Sequence, residues 1–155
     1  MKPTFKTIDL SYLESIANGN NDILKELINI FVDQVEEFKI GLNTHFDNKS
    51  WKELGALAHK AKASVIAMGM VDLGNIELKK LELIAKQYRI NELSALKIIS
   101  EKEKKELDFI SKQLNNCVEE RKQWIKENTN PKMISKLISK VNNTCQKALI
   151  ELKTV

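Results

Sequence analysis

The chain is short of the residues that most folds use to turn. It has two prolines and five glycines in 155 residues. All-β sandwiches and barrels need many turns of those types, so that class is excluded. There are two cysteines, Cys117 and Cys145, without metal-ligand spacing, and they read as reduced thiols on helix faces. Of the two histidines, His45 and His59, neither has a glutamate three residues before it, which removes a di-iron bundle site. A zinc site would need both to converge with two distant cysteines. No apolar run approaches the ~20 residues of a membrane helix. Met1 to Leu10 holds no signal-type apolar core, so the expected location is the cytoplasm, without membrane contact. A Gly-rich phosphate loop, a nucleophile elbow and a zinc-protease motif are all missing, and with them any ATPase or kinase signature.

What is present favours helices. Hydrophobic residues make up 43% of the chain and charged residues 30%, enough apolar material for a core. Leu, Ile, Lys, Glu, Ala and Asn dominate. Charge is balanced over residues 1–127; the net +4 comes from residues 128–155, where five lysines face Glu151 alone. No aromatic lies among those lysines, so base stacking and a nucleic-acid partner are not expected. A solvated lysine face accounts for them.

Periodicity divides the chain. Asp9 is placed to cap a short helix from Leu10 to about Ala17. After the turn Asn18-Gly19-Asn20-Asn21, Ile23, Leu27, Phe31, Phe38 and Leu42 recur at helical spacing to about Phe46. Ser50 and Glu53 form a capping-box pattern. Trp51, Leu54, Ala58, Ala61, Val65 and Met68 then step by three and four, the stripe of a bundle helix, and Gly69 stands where a left-handed residue ends it. A fourth helix is expected from Met70 to about Tyr88, with a break at Arg89-Ile90-Asn91. A long charged helix is expected from Leu93 to about Lys126, solvated or kinked over Ser100–Glu106. Asn128-Thr129-Asn130-Pro131 breaks the chain, and Met133 to Leu152 forms a last amphipathic helix that would pack on the long helix or on another copy.

One histidine stands out. His59 lies about 100° from Ala58, at the edge of the apolar stripe. Gly55, Lys62, Ala63 and Ile66 share its face. A neutral imidazole nitrogen is a good nucleophile toward an activated phosphoryl group, and an ammonium one turn along can offset phosphate charge. Gly55 and Ala63 leave room for another protein, and Ile66 offers it an apolar contact. His45, near the end of the second helix, reads as a C-terminal capping cation.

The stretch Ala58-His59-Lys60-Ala61-Lys62-Ala63-Ser64-Val65-Ile66-Ala67-Met68-Gly69 resembles the motif A-H-x-L-K-G-S-x-x-x-x-G of histidine phosphotransfer (HPt) domains. Asp9, Tyr12-Leu13, the Asn18–Asn21 turn and Leu24-x-x-Leu27-x-x-x-Phe31 resemble the family's first helices, and Leu73-x-x-Ile76 with Leu81-Glu82 the helix after the motif. The resemblance covers about residues 8–88. It departs from the pattern at Ala61, where the family has Leu, and at Ala63, where it has Gly; one methyl group is added beside the phosphorylation site.

The resemblance implies an all-α fold: an antiparallel four-helix bundle with a short N-terminal helix and a C-terminal helical extension. On that reading residues 1–127 form the HPt-like bundle and 128–155 an appended helix. It implies a phosphoryl carrier in a bacterial two-component phosphorelay, not a free-standing enzyme. His59 accepts the group from a receiver-domain aspartyl phosphate and passes it to another receiver. Lys62 stabilises the phosphoryl charge, and Gly55, Ala63, Ser64 and Ile66 line the docking face. No cofactor is bound; Mg²⁺ belongs to the partner receiver. Partners are response-regulator receivers and a hybrid sensor histidine kinase. The alternative is a helical docking or dimerisation module that is never phosphorylated, with a homodimer formed through the C-terminal helices.

Overall fold

The computed structural model describes residues 4–155. The described residues are all-helical, with no strand. In chain order the elements are α1 (Ser11–Ala17), α2 (Asn21–Asp47), α3 (Trp51–Ala67), a π-helical segment (Leu73–Leu78) running directly into α4 (Lys79–Ser94), α5 (Glu101–Asn115), α6 (Glu119–Asn128) and α7 (Pro131–Leu152). Among the described residues no helix is long and apolar enough to cross a membrane.

Local chemistry explains most boundaries. The Asn20 side chain accepts from the N–H groups of Asp22 and Ile23 and opens α2. Asn130 does the same for Met133, with Pro131 in the first turn of α7. Ser100 and Glu103 close a reciprocal capping box at α5. The capping box expected at Ser50 and Glu53 does not form; Ser50 flanks α3 without a side-chain cap. Asp9 acts one residue later than expected: its carboxylate accepts from the Ser11 N–H and hydroxyl, and α1 begins at Ser11.

Two expectations fail for packing reasons. The fourth helix does not break at Arg89. Arg89 holds Glu92 through Nη1 and Glu106 through Nε and Nη2 (2.7 and 2.9 Å), and Leu93 is buried, so α4 continues to Ser94. The long helix expected from Leu93 does not form: Leu93 and Ser94 end α4, residues 95–100 are non-helical, and the rest is two helices, α5 and α6, separated at 116–118. Leu114 and Ile125 both pack on Leu83 of α4. A straight helix would hold those two residues roughly 16 Å apart; the break folds α6 back so that both reach the same patch.

The main core takes Phe38 and Leu42 from α2, Leu54, Ala58, Ala61 and Val65 from α3, Leu81 and Ile84 from α4, and Ile134, Val141, Cys145 and Ala148 from α7. α7 therefore packs on α2, the π-helical segment and α4. It is not laid on the long stretch 93–127, because its apolar face matches the main core, while α5 and α6 serve a smaller cluster. The apolar face that motivated a dimer through α7 is covered within the chain. Its lysines Lys132, Lys136, Lys140 and Lys147 point to solvent.

The N-terminal segment is sewn to this core. Glu151 of α7 accepts from the Thr7 and Ile8 N–H groups at 3.0 to 3.2 Å. Asp9 N–H donates to the Met68 carbonyl at 2.9 Å.

Thiol reactivity checks the core assignment. Burial pushes the Cys145 thiol up to about 11, whereas Cys117 is only half-buried. The thiolate is the reactive form. Brief alkylation of the native protein at pH 8 followed by mass spectrometry should label Cys117 alone; Cys145 should react only after unfolding.

Candidate functional site

α3 and α4 form an antiparallel pair, and their register places the chemistry. A Cβ on Gly55 would lie 3.5 Å from the Ala85 Cβ. His59 meets Glu82, and Ile66 rests against Gly74 in the π-helical segment. Rising numbers on one helix meet falling numbers on the other.

The pair brings His59 to a buried carboxylate. His59 Nδ1 lies 3.0 Å from Glu82 Oε1; the imidazole is 68% exposed and the Glu82 side chain 3%. Lys86 Nζ donates to the same oxygen at 3.0 Å, and Lys62 Nζ stands 3.8 Å from Oε2, which has no hydrogen-bond partner among the described residues. Burial pushes the Glu82 carboxyl upward. The hydrogen bond and charge of Lys86, with the charges of Lys79 and Lys62, outweigh it and hold the group below the usual carboxylate range. Glu82 is therefore an anion that can only accept. The proton of a neutral His59 ring then sits on Nδ1, and the lone pair is left on Nε2.

A groove of about 500 Å³ runs beside the imidazole between α3, α4 and α5. α4 presents Lys79, Glu82, Lys86 and Arg89 to it; α5 presents Glu106, Phe109 and Gln113. Trp51, stacked on Tyr88 with ring centroids 4.1 Å apart, closes one end. The guanidinium of Arg89 holds the Glu106 carboxyl below its ordinary range, a pairing that fixes α5 along this wall.

The residues expected from the motif fall into separate places. His59 and Lys62 converge on Glu82. Ala63 is exposed on the same helix face. Gly55 is buried, and the space beside it belongs to α4, not to a visiting protein. Ile66 is half-buried against Gly74, and the Ser64 hydroxyl donates to the Lys60 carbonyl at 3.5 Å. Ala61 is fully buried, so its departure from the motif acts on the core and not on the surface. Lys60 ties α3 to α2 through Glu37. His45 lies in the last turn of α2. No group of three or more His, Cys, Asp and Glu side chains suited to a metal occurs among the described residues.

Sequence reasoning missed Glu82, Lys86 and Lys79. Their signal was the polar stripe Lys79, Glu82, Lys86, Arg89 at helical spacing on a helix that also carries the buried Leu81, Leu83, Ile84 and Ala85. Comparison with protein-family models, with curated proteins and with solved structures finds no match for this chain.

Proposed function

We propose that this protein is a histidine phosphoryl carrier of the HPt kind, an antiparallel helical bundle that moves a phosphoryl group between receiver domains in the cytoplasm. The observation that carries the reading is the exposed His59 ring tied through Nδ1 to the buried anion of Glu82. That bond makes Nε2 the nucleophile and holds it toward solvent, where only another macromolecule or a small donor can reach it.

The step balances without a cofactor on this chain. The Nε2 lone pair attacks the phosphorus of an aspartyl phosphate. An N–P bond forms, the P–O bond breaks, and the aspartate carboxylate leaves with the electron pair. The ring becomes cationic, and Glu82 stabilises that charge through the Nδ1–H. The second transfer reverses these events on another receiver. Mg²⁺ and the acidic pocket are the receiver's contribution, and this chain supplies nucleophile, cations and docking surface.

The test is transfer of label from a phosphorylated receiver to wild-type protein and to His59→Gln. Label that is acid-labile and base-stable should appear on the wild type and be absent from His59→Gln. Label on His59→Gln, or none on the wild type across a panel of receivers, overturns the reading.

A further inference from the structure

The cations around His59 are not equivalent. Lys86 is bonded to Glu82, Lys60 to Glu37, and Arg89 to Glu92 and Glu106. Lys62 stands nearest the unpartnered Oε2 of Glu82, and a small movement would close that 3.8 Å gap into a hydrogen bond. Lys79 also lines the groove beside His59, is half-buried, and has no ion pair or side-chain hydrogen bond among the described residues. The antiparallel register places it further. Lys79 is one turn before Glu82 on α4, toward the Gly74–Ile66 end; Lys62 is one turn after His59 on α3, toward the same end. Lysines from two helices thus stand on one side of the imidazole, and among the described residues Lys79 is the one with no carboxylate at ion-pair distance, its charge reaching Glu82 only at longer range.

We propose that Lys79 is the principal cation of an oxyanion site for the phosphoryl group on His59, while Lys62 serves the buried oxygen of Glu82. The inference rests on His59 being a phosphoryl acceptor. A phosphoryl dianion arriving at Nε2 introduces two negative charges beside a carboxylate that is already ionised. An ammonium already committed to Glu82 would have to abandon a buried anion to meet them, which is unfavourable. Lys79 meets them without breaking an ion pair at contact distance. The remaining charges on the groove, Lys52, Lys86, Arg89 and Glu106, lie toward the opposite, Trp51 end of the register.

Phosphoramidate tests this without any partner protein. Nε2 attacks its phosphorus, the new N–P bond forms, and the protonated nitrogen leaves as ammonia. Phosphorus NMR then follows both the rate of labelling and the titration of the phosphohistidine. Lys79→Gln should slow labelling about tenfold, the scale of one charge-assisted hydrogen bond. It should also raise the pH at which the phosphoryl group loses its last proton, because a cation favours the dianion. Lys79→Arg should restore both, and Lys62→Gln should alter them less than Lys79→Gln does. Circular dichroism of Lys79→Gln should match the wild type, since among the described residues the side chain has no hydrogen bond or ion pair to lose. If wild type is labelled and Lys79→Gln shows the same rate and the same titration, the role of Lys79 is overturned and that of His59 stands. If wild type takes no label under conditions that phosphorylate free histidine, the carrier reading falls and this one with it.

Discussion

Glu82→Gln should lower phosphoryl acceptance by His59 about tenfold or more, the usual effect of losing the partner that orients a functional histidine. The amide keeps the shape of the carboxylate but can donate as well as accept, so it no longer dictates which ring nitrogen holds the proton. It also removes the counter-charge that the cationic phosphohistidine needs. Nitrogen-15 shifts of the His59 ring give the direct readout: a single Nδ1–H tautomer in the neutral wild type, a mixture in the variant. An unchanged tautomer and an unchanged rate would remove Glu82 from the mechanism.

The same carboxylate gives stability an acid limb. Its pKa in the folded protein is below the ordinary carboxylate value, so the folded state binds fewer protons than the unfolded one. The contribution is therefore fully present above the unfolded value, about pH 4.3, and is lost as pH falls through the folded value. Denaturant titrations of wild type should lose stability over that range, and Glu82→Gln should lose less.

The largest effect on folding is expected at Gly69. It sits at φ +83° after α3, and a Cβ there would fall 2.5 to 2.8 Å from the Cβ, N and Cα of Asp9. Those are largely backbone atoms of the segment that donates to Met68, and they cannot swing aside. Gly69→Ala should cost about 3 kcal/mol, combining the left-handed penalty with displacement of that segment. In a chain of this size the melting temperature would fall by about 6–12 °C. Gly19 is the internal control. It has the same φ of +83° but nothing within 4 Å of the added atom. Gly19→Ala should cost about 1 kcal/mol, the left-handed term alone. Equal melting temperatures for the two variants would refute the steric account.

Gly69 was legible in the sequence as a helix terminator, though only the structure shows Asp9 pressed against it. α2, α3 and α7 were legible because their apolar residues recur without interruption. The division of 93–127 was not. Its linker at 116–118 contains no Gly or Pro, and the reason for the break is tertiary: two residues must reach Leu83. The partner of α7 was not legible either, since an amphipathic face records that it is covered but not by what. Likewise His59 and Lys62 could be read from spacing on one helix. Glu82 could not, because the contact spans 23 positions and depends on how α3 and α4 are registered.

That register runs through the π-helical segment Leu73–Leu78. A π turn takes one more residue than an α turn, so such a segment is a helix carrying a spare residue. Inserting one residue into regular helix would rotate everything beyond it by about 100°. Here the excess is absorbed locally, so that Met70 before the segment, Leu73 and Leu78 at its two ends, and Leu81 and Ile84 after it all remain in the core. The segment is thus the point in the hairpin where chain length can change by one without turning the Lys79–Glu82–Lys86 edge away from the imidazole. Losing exposed Asn75 should leave that edge in phase, whereas losing a residue from within α3 would carry His59 off the groove.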